Sequence, residues 1–423
     1  MIKILNLFQL KSAFLLSVFS GFIIWFFFYI FSPVNSTGLI SETLLFIGSS
    51  VLVFLLGYYV FNINTKTFLF KSSSLIVLFY VIATMSLIGI TFRYLDLFLF
   101  REISFSNPYF QNKLLSDSHT ENAGLLIASL SSLRVLYFVP LLLLIITKSK
   151  NKLMCLISIA LIIYSSVEIF LFGTRKPLFY LMIIVIITLF YFNKSKLQFS
   201  KKSVFYIISS TLVLAFFSFF ILNKRLKENN FNKENALIDV VNSRYNDFVK
   251  IKPSKLKSLI ASPKSVSTKA QIMFIHTGQY VIHGFYELNY IVKNKFPKAY
   301  GVYSFNPIFK LTNRLGVTNK SLNTIKNHPR DYVYTSFYGS LFIDFGWFAL
   351  IPMFLLGLFQ RWVYSLTTVN IIAKVFFVIL LSINLVMPIF NILSGTGLYL
   401  FFLLLAFLCI SYKKNDITEV YYK

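Results

Sequence analysis

Acidic residues are scarce in this chain of 423 residues, which carries 15 Asp and Glu against 41 Lys and Arg. Only 13% of all residues are charged, whereas about a quarter are charged in an average soluble domain. Cysteine is scarcer still: Cys155 and Cys409 both fall in apolar runs and are too few to form a metal cluster. The composition excludes an ordinary soluble globular protein and indicates a membrane protein.

Several motifs of energy-driven and metal-dependent chemistry are also missing. The G-x-x-x-x-G-K-[ST] phosphate loop does not occur, which excludes an ATP-driven pump that works without a partner. There is no H-E-x-x-H sequence, and the external loops contain no Asp-x-Asp pair that would hold a metal beside a sugar phosphate. We therefore expect neither a metal nor another cofactor.

Apolar runs long enough to cross a bilayer make up most of the sequence. Hydrophobic residues account for 57% of the chain and aromatic residues for 18%, and a helix of roughly 20 apolar residues spans about 30 Å of hydrocarbon. We predict an all-α polytopic membrane protein with about ten transmembrane helices. The predicted spans are residues 12–31, 43–61, 74–92, 125–147, 153–172, 177–192, 203–222, 336–358, 371–392 and 398–411.

The basic residues indicate how these spans are oriented. Much of the net charge of +26 lies in short Lys-rich loops between spans, and such loops stay on the cytoplasmic side. With the N-terminus inside, these loops and the C-terminal tail all fall on that side. This pattern explains the charge better than nucleic-acid binding does, so we expect no nucleic-acid partner.

The alternation of spans leaves one long polar interval, residues 223–335, on the outer side. It separates the helices of residues 1–222 from those of residues 336–423, and it carries 19 Lys and Arg against 6 Asp and Glu. We predict a basic cap over the bundle, suited to an anionic substrate at the membrane surface. Within it, residues 270–292 are too polar for lipid and predict an interfacial helix with its apolar side toward the bundle.

Charged side chains lie inside the outer half of the predicted spans or at its rim in four places. These are Arg134, Glu168, Asp344 and the loop containing Arg175. Charged groups at that depth are costly and either pair or carry function. Arg134 and Asp344 are either a structural pair or part of a site, and the spacing of Glu168 and Arg175 permits a local pair. Arg175 follows Gly173 in a tight external loop, which favours phosphate binding because a guanidinium fork matches phosphate oxygens.

The polar interval adds candidates for anion binding and for acid–base chemistry. Its arginines are the better anion binders, whereas its lysines are mostly solvated surface. These arginines are Arg225, Arg244, Arg314 and Arg330.

A general base has four candidates. His276 and His283 lie one heptad apart on the predicted helix, and Glu287 follows four residues later. A histidine beside a carboxylate serves as a general base, although a lone histidine is more often a structural hydrogen-bonding group. Asp344, in the eighth predicted span, is the fourth candidate.

Three stretches carry a family resemblance. F-G-T-R-K at residues 172–176 lies at an outer helix end, and H-T-G-Q-Y-V-I-H-G-F-Y-E-L at residues 276–288 lies late in the polar interval. Y-G-S-L-F-I-D-F-G-W-F-A-L-I-P-M-F-L-L-G fills residues 338–357. In order, spacing and topology, the chain from the fourth span onward resembles the Wzy-type polymerases of O-antigen and capsule repeat units.

The resemblance implies a GT-C-like fold and a metal-independent glycosyl transfer at the outer face of the bacterial inner membrane. A growing glycan on undecaprenyl pyrophosphate would be joined to a fresh lipid-linked repeat unit, and undecaprenyl pyrophosphate would leave. Arginines at the outer rim would stabilise the pyrophosphate, and Tyr280 would stack on a sugar ring or anchor the interface. The implied partners are the lipid-linked glycan, membrane lipid and a chain-length regulator.

Other functions fit parts of the same pattern. An O-antigen ligase transfers a similar donor to lipid A core and shares the large external loop, but the T-G-Q-Y and D-F-G stretches favour a polymerase. A flippase for the lipid-linked unit usually has short loops and internal repeats, whereas this chain has a long polar interval and no repeat. A structural membrane protein without activity is the last alternative, and the converging polar groups argue against it.

Replacement of Arg175 by alanine tests the phosphate-binding loop. We expect Arg175→Ala to abolish polymer formation while the protein still reaches the membrane, because the pyrophosphate loses a guanidinium partner. The measurement is the length distribution of surface polysaccharide on a gel, with the membrane level of the variant checked by immunoblot. Wild-type chain lengths at a normal protein level would remove Arg175 from the site.

Overall fold

The computed structural model shows a mostly helical, multi-pass membrane protein. It describes residues 10–36, 38–60, 69–70, 75–105, 108, 111, 124–172, 176–192, 220, 236–243, 246–261, 265–318, 330 and 333–413. Among these residues, six helices are long and apolar enough to cross a membrane: Ala13–Phe31, Ser41–Val60, Leu75–Phe100, Leu126–Thr147, Lys152–Leu171 and Phe337–Leu366. Three shorter apolar helices are Pro177–Phe192, Ile371–Val386 and Thr396–Ile410.

The helices before the polar interval are α1 (Leu10–Phe31), α2 (Ser41–Val60), α3 (Leu75–Tyr94), α4 (Leu125–Ser132), α5 (Val139–Thr147), α6 (Lys152–Leu171) and α7 (Lys176–Phe192). A π-helical turn, Leu95–Phe100, extends α3, and a 3₁₀ turn, Leu133–Leu136, follows α4. The later helices are α8 (Ala236–Val241), α9 (Pro253–Ala261), α10 (Val266–Asn294), α11 (Asn306–Arg314), α12 (Phe337–Phe345), α13 (Leu350–Leu366), α14 (Ile371–Val386) and α15 (Thr396–Ile410). A 3₁₀ turn, Gly346–Ala349, joins α12 to α13.

Two short antiparallel sheets mark the two ends of the bundle. Strand β1 (Val34–Ser36) pairs with β3 (Val249–Ile251), and Val34 lies opposite Ile251. Strand β2 (Leu69–Phe70) pairs with β4 (Tyr412–Lys413). Because α2 runs from β1 toward β2, the sheets lie at opposite ends of that helix. We call the β1–β3 end the cap end and the β2–β4 end the tail end.

This arrangement places the polar interval and the C-terminal tail at opposite ends. Strand β3 belongs to the polar interval, and β4 to the tail. The alternation of helices inferred from the charge pattern predicts the same separation. Helix α3 begins after β2 at the tail end and therefore finishes at the cap end.

Small residues allow α2 and α13 to pack backbone against backbone. A Cβ atom on Gly57 would lie 2.2 Å from the carbonyl oxygen of Phe354, and a Cβ atom on Gly357 would lie 2.2 Å from that of Phe54. Helices in membranes gain little from hydrophobic burial, so close packing of small residues supplies much of their association. This pair of glycines holds the second span against the eighth.

Buried amides connect α13 to two further helices. Gln360 of α13 and Asn384 of α14 exchange hydrogen bonds through their side chains at 2.8 and 2.9 Å. The Asn384 amide also donates to the hydroxyl of Ser17 in α1, at 3.1 Å. Such polar contacts between spans stabilise a bundle because lipid offers no alternative partner.

Two predicted spans are interrupted. The fourth is divided by the 3₁₀ turn, and Pro140 lies in the first turn of α5, where its missing N–H cannot continue the preceding helix. The eighth is divided at Gly346, whose φ of 58° interrupts the helix between α12 and α13. The seventh predicted span, residues 203–222, lies outside the described residues apart from residue 220, so the count of ten stays a prediction.

The predicted interfacial helix is α10, and its second half is more enclosed than expected. Residues 281–289 are all buried, whereas a helix with one buried face would alternate. The expectation of a single covered face is wrong for this half. The reason is close approach on several sides: a Cβ atom on Gly284 would lie 2.5 Å from the carbonyl oxygen of Ile389, and Asn289 accepts hydrogen bonds from Ile40 and Thr43 of the α2 end.

Two glycines of α2 provide a matched test of the helix contact. We expect Gly57→Ala to destabilise the protein by roughly 1–3 kcal/mol, because the added methyl group forces two backbones apart. Gly48→Ala should be neutral or slightly stabilising, because nothing lies within 4 Å of a Cβ atom there. Thermal unfolding in detergent measures both variants. Equal melting temperatures would contradict the close approach of α2 and α13.

Candidate functional site

Five charged side chains form a cluster at the cap end, which we call the arginine cluster: Arg93, Asp96, Arg101, Arg134 and Glu168. The Glu168 carboxylate accepts hydrogen bonds from Nε of Arg93 at 2.9 Å and from Nη1 of Arg134 at 3.0 Å. Asp96 accepts from Nη1 of Arg93 at 2.7 Å and from Nε of Arg101 at 2.9 Å. Three guanidinium groups face two carboxylates, so the cluster keeps one positive charge in excess.

Three separate elements bring Arg93, Arg134 and Glu168 of the cluster together. Arg93 lies in the last turn of α3, Arg134 in the 3₁₀ turn and Glu168 in the last turn of α6. A Cβ atom on Gly89 would lie 2.1 Å from the backbone nitrogen of Arg134. Glycine at this position therefore lets α3 approach the turn closely enough for both arginines to reach the same carboxylate.

The arginine cluster opens into a cavity of about 380 Å³, which we call the arginine cavity. Arg93, Arg134 and Glu168 line its polar part. Its other walls are largely apolar and include Val135, Phe138, Ile169 and Leu400. Phe172 and Pro177, which flank the predicted phosphate-binding loop, line it as well. A cavity with a cationic part and apolar walls suits an amphiphilic anion.

The start of α15 forms another part of the same cavity. Ser394, Thr396 and Gly397 line it. Gly395 precedes the helix with a φ of 105° and makes no side-chain cap, so no side chain at that position covers the first N–H groups. A helix N-terminus adds partial positive charge to the field of the arginines.

A second buried group lies in α10, and we call it the Glu287 group. Oε1 of Glu287 lies 3.2 Å from Nε2 of His283, and Nη1 of Arg330 donates a hydrogen bond to the same oxygen. His283 and Glu287 are fully buried, while Arg330 is 15% exposed. The i, i+4 spacing places the histidine and carboxylate on one face of the helix. Arg330 supplies the opposite charge from outside the helix.

Aromatic side chains surround the Glu287 group. The Arg330 guanidinium lies 4.4 Å from the ring centre of Phe248, and the His283 and Tyr334 rings are 5.6 Å apart. Burial raises the pKa of Tyr303, and the carboxylates of Asp344 and Glu287 raise it further. Tyr303 therefore keeps its proton at neutral pH and remains a hydrogen-bond donor.

Asp344 organises a backbone loop. Its Oδ1 accepts hydrogen bonds from the N–H groups of Gly301 and Tyr303, both at 3.0 Å, and its Oδ2 accepts from Ser304 at 2.8 Å. Three charge-assisted bonds to main-chain donors are typical of a structural carboxylate. Asp344 and Arg134, a possible pair on sequence grounds, bond to other partners.

The remaining predicted residues are distributed as follows. His276 lies seven residues before His283, in the half-exposed first part of α10. The Tyr280 ring lies 4.8 Å from that of Tyr334, whose hydroxyl donates to the Tyr280 carbonyl. Arg314 ends α11, and nothing is described of its side chain. Arg175, Arg225 and Arg244 lie outside the described residues.

Sequence reasoning missed Arg93, Asp96 and Arg101. It assigned residue 93 to the start of a polar loop, whereas the helix continues through the π-helical turn to Phe100. The apolar composition of residues 95–100, L-D-L-F-L-F, was the available signal. It predicts that the helix continues and that Asp96 requires a cationic partner.

Comparison with known proteins finds no matching family model, no similar curated protein and no similar solved structure. The candidate function therefore depends on the chemistry of the arginine cavity and the Glu287 group.

Two aspartates test the structural role of Asp344. We expect Asp344→Asn to destabilise the protein by about 2 kcal/mol, because one oxygen and a charge are lost to three N–H donors. Asp247→Asn should cost less than about 1 kcal/mol, since that carboxylate is exposed and pairs with the exposed Lys250. Thermal unfolding in detergent compares them. An Asp344→Asn variant as stable as the wild type would show that the carboxylate does not hold the loop.

Proposed function

We propose that this protein is a polymerase that joins oligosaccharide repeat units carried on undecaprenyl pyrophosphate into O-antigen or capsular polysaccharide, at the outer face of the bacterial inner membrane. The arginine cavity is the observation that carries the proposal. It combines excess positive charge with apolar walls in a membrane-spanning bundle, as a lipid-linked pyrophosphate requires. The sequence resemblance supplies the reaction class.

The cap end has the elements that such a transfer needs. The acceptor hydroxyl oxygen attacks the anomeric carbon of the donor glycan, and a new glycosidic C–O bond forms. The bond between that carbon and the pyrophosphate oxygen breaks, and the oxygen keeps the electron pair. Arg93 and Arg134 stabilise the charge that develops on the leaving pyrophosphate, because fixed cations in a low-dielectric site act strongly. The polyprenyl chain lies along the apolar walls.

The hydroxyl proton requires an acceptor, and the Glu287 group supplies it. Glu287 takes the proton, while His283 and Arg330 hold the carboxylate oxygen in place. Arg330 is the partly exposed member of the group, so the acceptor reaches Glu287 as this arginine shifts to the incoming ligand. Asp344 has a positioning role here, through the loop that carries Tyr303.

A second cavity accommodates the second lipid-linked unit. It measures about 250 Å³ and is lined mostly by apolar side chains of α12, α13 and α15, among them Leu341, Leu355 and Phe401. Leu398 lines this cavity, and Gly397 lines the arginine cavity. The two cavities therefore flank the start of α15, and two polyprenyl chains can lie on either side of it.

A deletion strain tests the function itself. Surface polysaccharide is extracted and resolved by length on a gel. We expect a single repeat unit without a ladder, restored to a ladder by the wild-type chain. A normal ladder that stays on the carrier and is missing from the core would indicate a ligase and contradict the proposal.

Substitution of Glu287 tests the general base in that strain. We expect Glu287→Gln to reduce polymer formation by about 10²–10⁴-fold, the usual contribution of a general base. Glu42→Gln is the matched control, since Glu42 is an exposed glutamate at the cap end, and it should restore the ladder.

The loss of the Glu287 carboxylate from Arg330 in the Glu287→Gln variant has a folding cost. Membrane levels are therefore compared, and His283→Gln, which keeps the Glu287–Arg330 pair, serves as the second variant. Wild-type ladders from both variants at normal protein levels would exclude the Glu287 group from the reaction.

A further inference from the structure

The arginine cavity contains its own anion, the carboxylate of Glu168. This side chain lines the cavity beside Arg93 and Arg134 and is 20% exposed. It binds both guanidinium groups that line the cavity. Any anionic ligand of the cavity therefore meets arginines that are already occupied.

The bond between Arg134 and Glu168 leaves most of the guanidinium unused. Within the described part of the chain, the hydrogen bonds of this guanidinium all come from Nη1, which donates to Oε1 at 3.0 Å and Oε2 at 3.1 Å. Nε and Nη2 remain for another acceptor. A phosphate group prefers the two-pronged fork geometry, which is stronger than one shared nitrogen. Arg134 is thus better matched to phosphate than to its present partner.

The charge balance agrees with an exchange of anions. With Glu168 in place, the cluster has one positive charge in excess. If Glu168 turns away, Arg93, Arg101 and Arg134 face Asp96 alone, and the excess is two. A phosphate monoester carries about −1.5 to −2 charges at neutral pH, and a diphosphate ester carries at least as many. The cluster without Glu168 neutralises such a ligand.

The other walls define which phosphate fits. Thr396 and Gly397 bring the start of α15 to the cavity, and the partial positive charge of that helix end favours a second phosphate group. Val135, Phe138 and Leu400 provide apolar surface beside the charged part. Inorganic phosphate would leave this surface uncovered, whereas the first isoprene units of a polyprenyl diphosphate would cover it.

We propose that Glu168 is an internal stand-in for the ligand of the arginine cavity: a polyprenyl diphosphate displaces its carboxylate from Arg93 and Arg134 and binds both guanidinium groups in its place. Glu168 is a positioning residue, which keeps the arginines oriented and neutralised in the empty site. The inference deepens the proposed function and rests on it for the identity of the lipid carrier. The exchange itself depends only on the contacts in the cavity.

Binding to the purified full chain in detergent tests the exchange without any transfer reaction. Farnesyl diphosphate is the probe, and inorganic pyrophosphate and farnesol separate its head group from its chain. We expect farnesyl diphosphate to bind at least tenfold more tightly than either fragment. Equal binding of farnesol would overturn the anion site, and equal binding of pyrophosphate would overturn the lipid-linked ligand.

Two variants that each remove one negative charge distinguish the displacement of Glu168 from a general electrostatic effect on binding. Glu168→Gln removes the competing carboxylate and should tighten farnesyl diphosphate binding about tenfold. Glu42→Gln removes the same charge from an exposed side chain at the cap end, outside both the arginine cluster and the cavity lining, so its effect should stay within about twofold. Arg134→Gln should weaken binding at least tenfold. Melting temperatures confirm that each variant is folded.

The results also distinguish this inference from the proposed function. Unchanged or weaker binding by Glu168→Gln, or unchanged binding by Arg134→Gln, overturns the exchange even if a deletion strain loses its polysaccharide ladder. The expected binding series from a protein whose deletion leaves the ladder intact supports the exchange and overturns the polymerase function.

Discussion

The free-energy cost of an unpaired charge away from water governs the arrangement of the cap end. Three of the carboxylates there are each satisfied in a different way. Glu168 is held by two guanidinium groups, Asp344 by three backbone N–H groups, and Glu287 by one arginine and one histidine. Apart from the contact between His283 and Glu287 within α10, these contacts join segments far apart in the chain. Since breaking one would leave a charge unpaired, these contacts fix how helices and loops meet.

Close backbone approach makes these contacts possible. Gly89 brings α3 against the turn that carries Arg134, and Gly284 brings α10 against the segment that carries Ile389. A side chain at either glycine would separate the elements by more than a hydrogen bond can bridge. The glycines and the buried charges therefore depend on each other. The glycines allow the backbones to approach closely, and the ion pairs form at that short distance.

The sequence predicted the positions of the helices, but it did not predict which charged side chains pair with each other. Apolar runs located most described spans within a few residues, because the thickness of a bilayer sets their length. Breaks at Pro140 and Gly346 depend on local backbone geometry inside an apolar run, which hydropathy does not register. The charges were recognised as unusual, but their partners were not: Glu168 bonds to Arg93, which lies 75 positions away. Such pairing follows from tertiary packing and leaves no periodic signal.

The arginine cluster and the Glu287 group share a physical design. In each, a carboxylate of the protein binds a partly exposed arginine, Glu168 beside Arg134 and Glu287 beside Arg330. An arginine left bare in an apolar bundle would be costly, so the empty protein needs an internal anion. A substrate that brings its own negative charge removes that need. In the proposed reaction, the pyrophosphate would release Glu168 from its arginines, and a shift of Arg330 toward the incoming lipid-linked unit would free Glu287 to accept the proton.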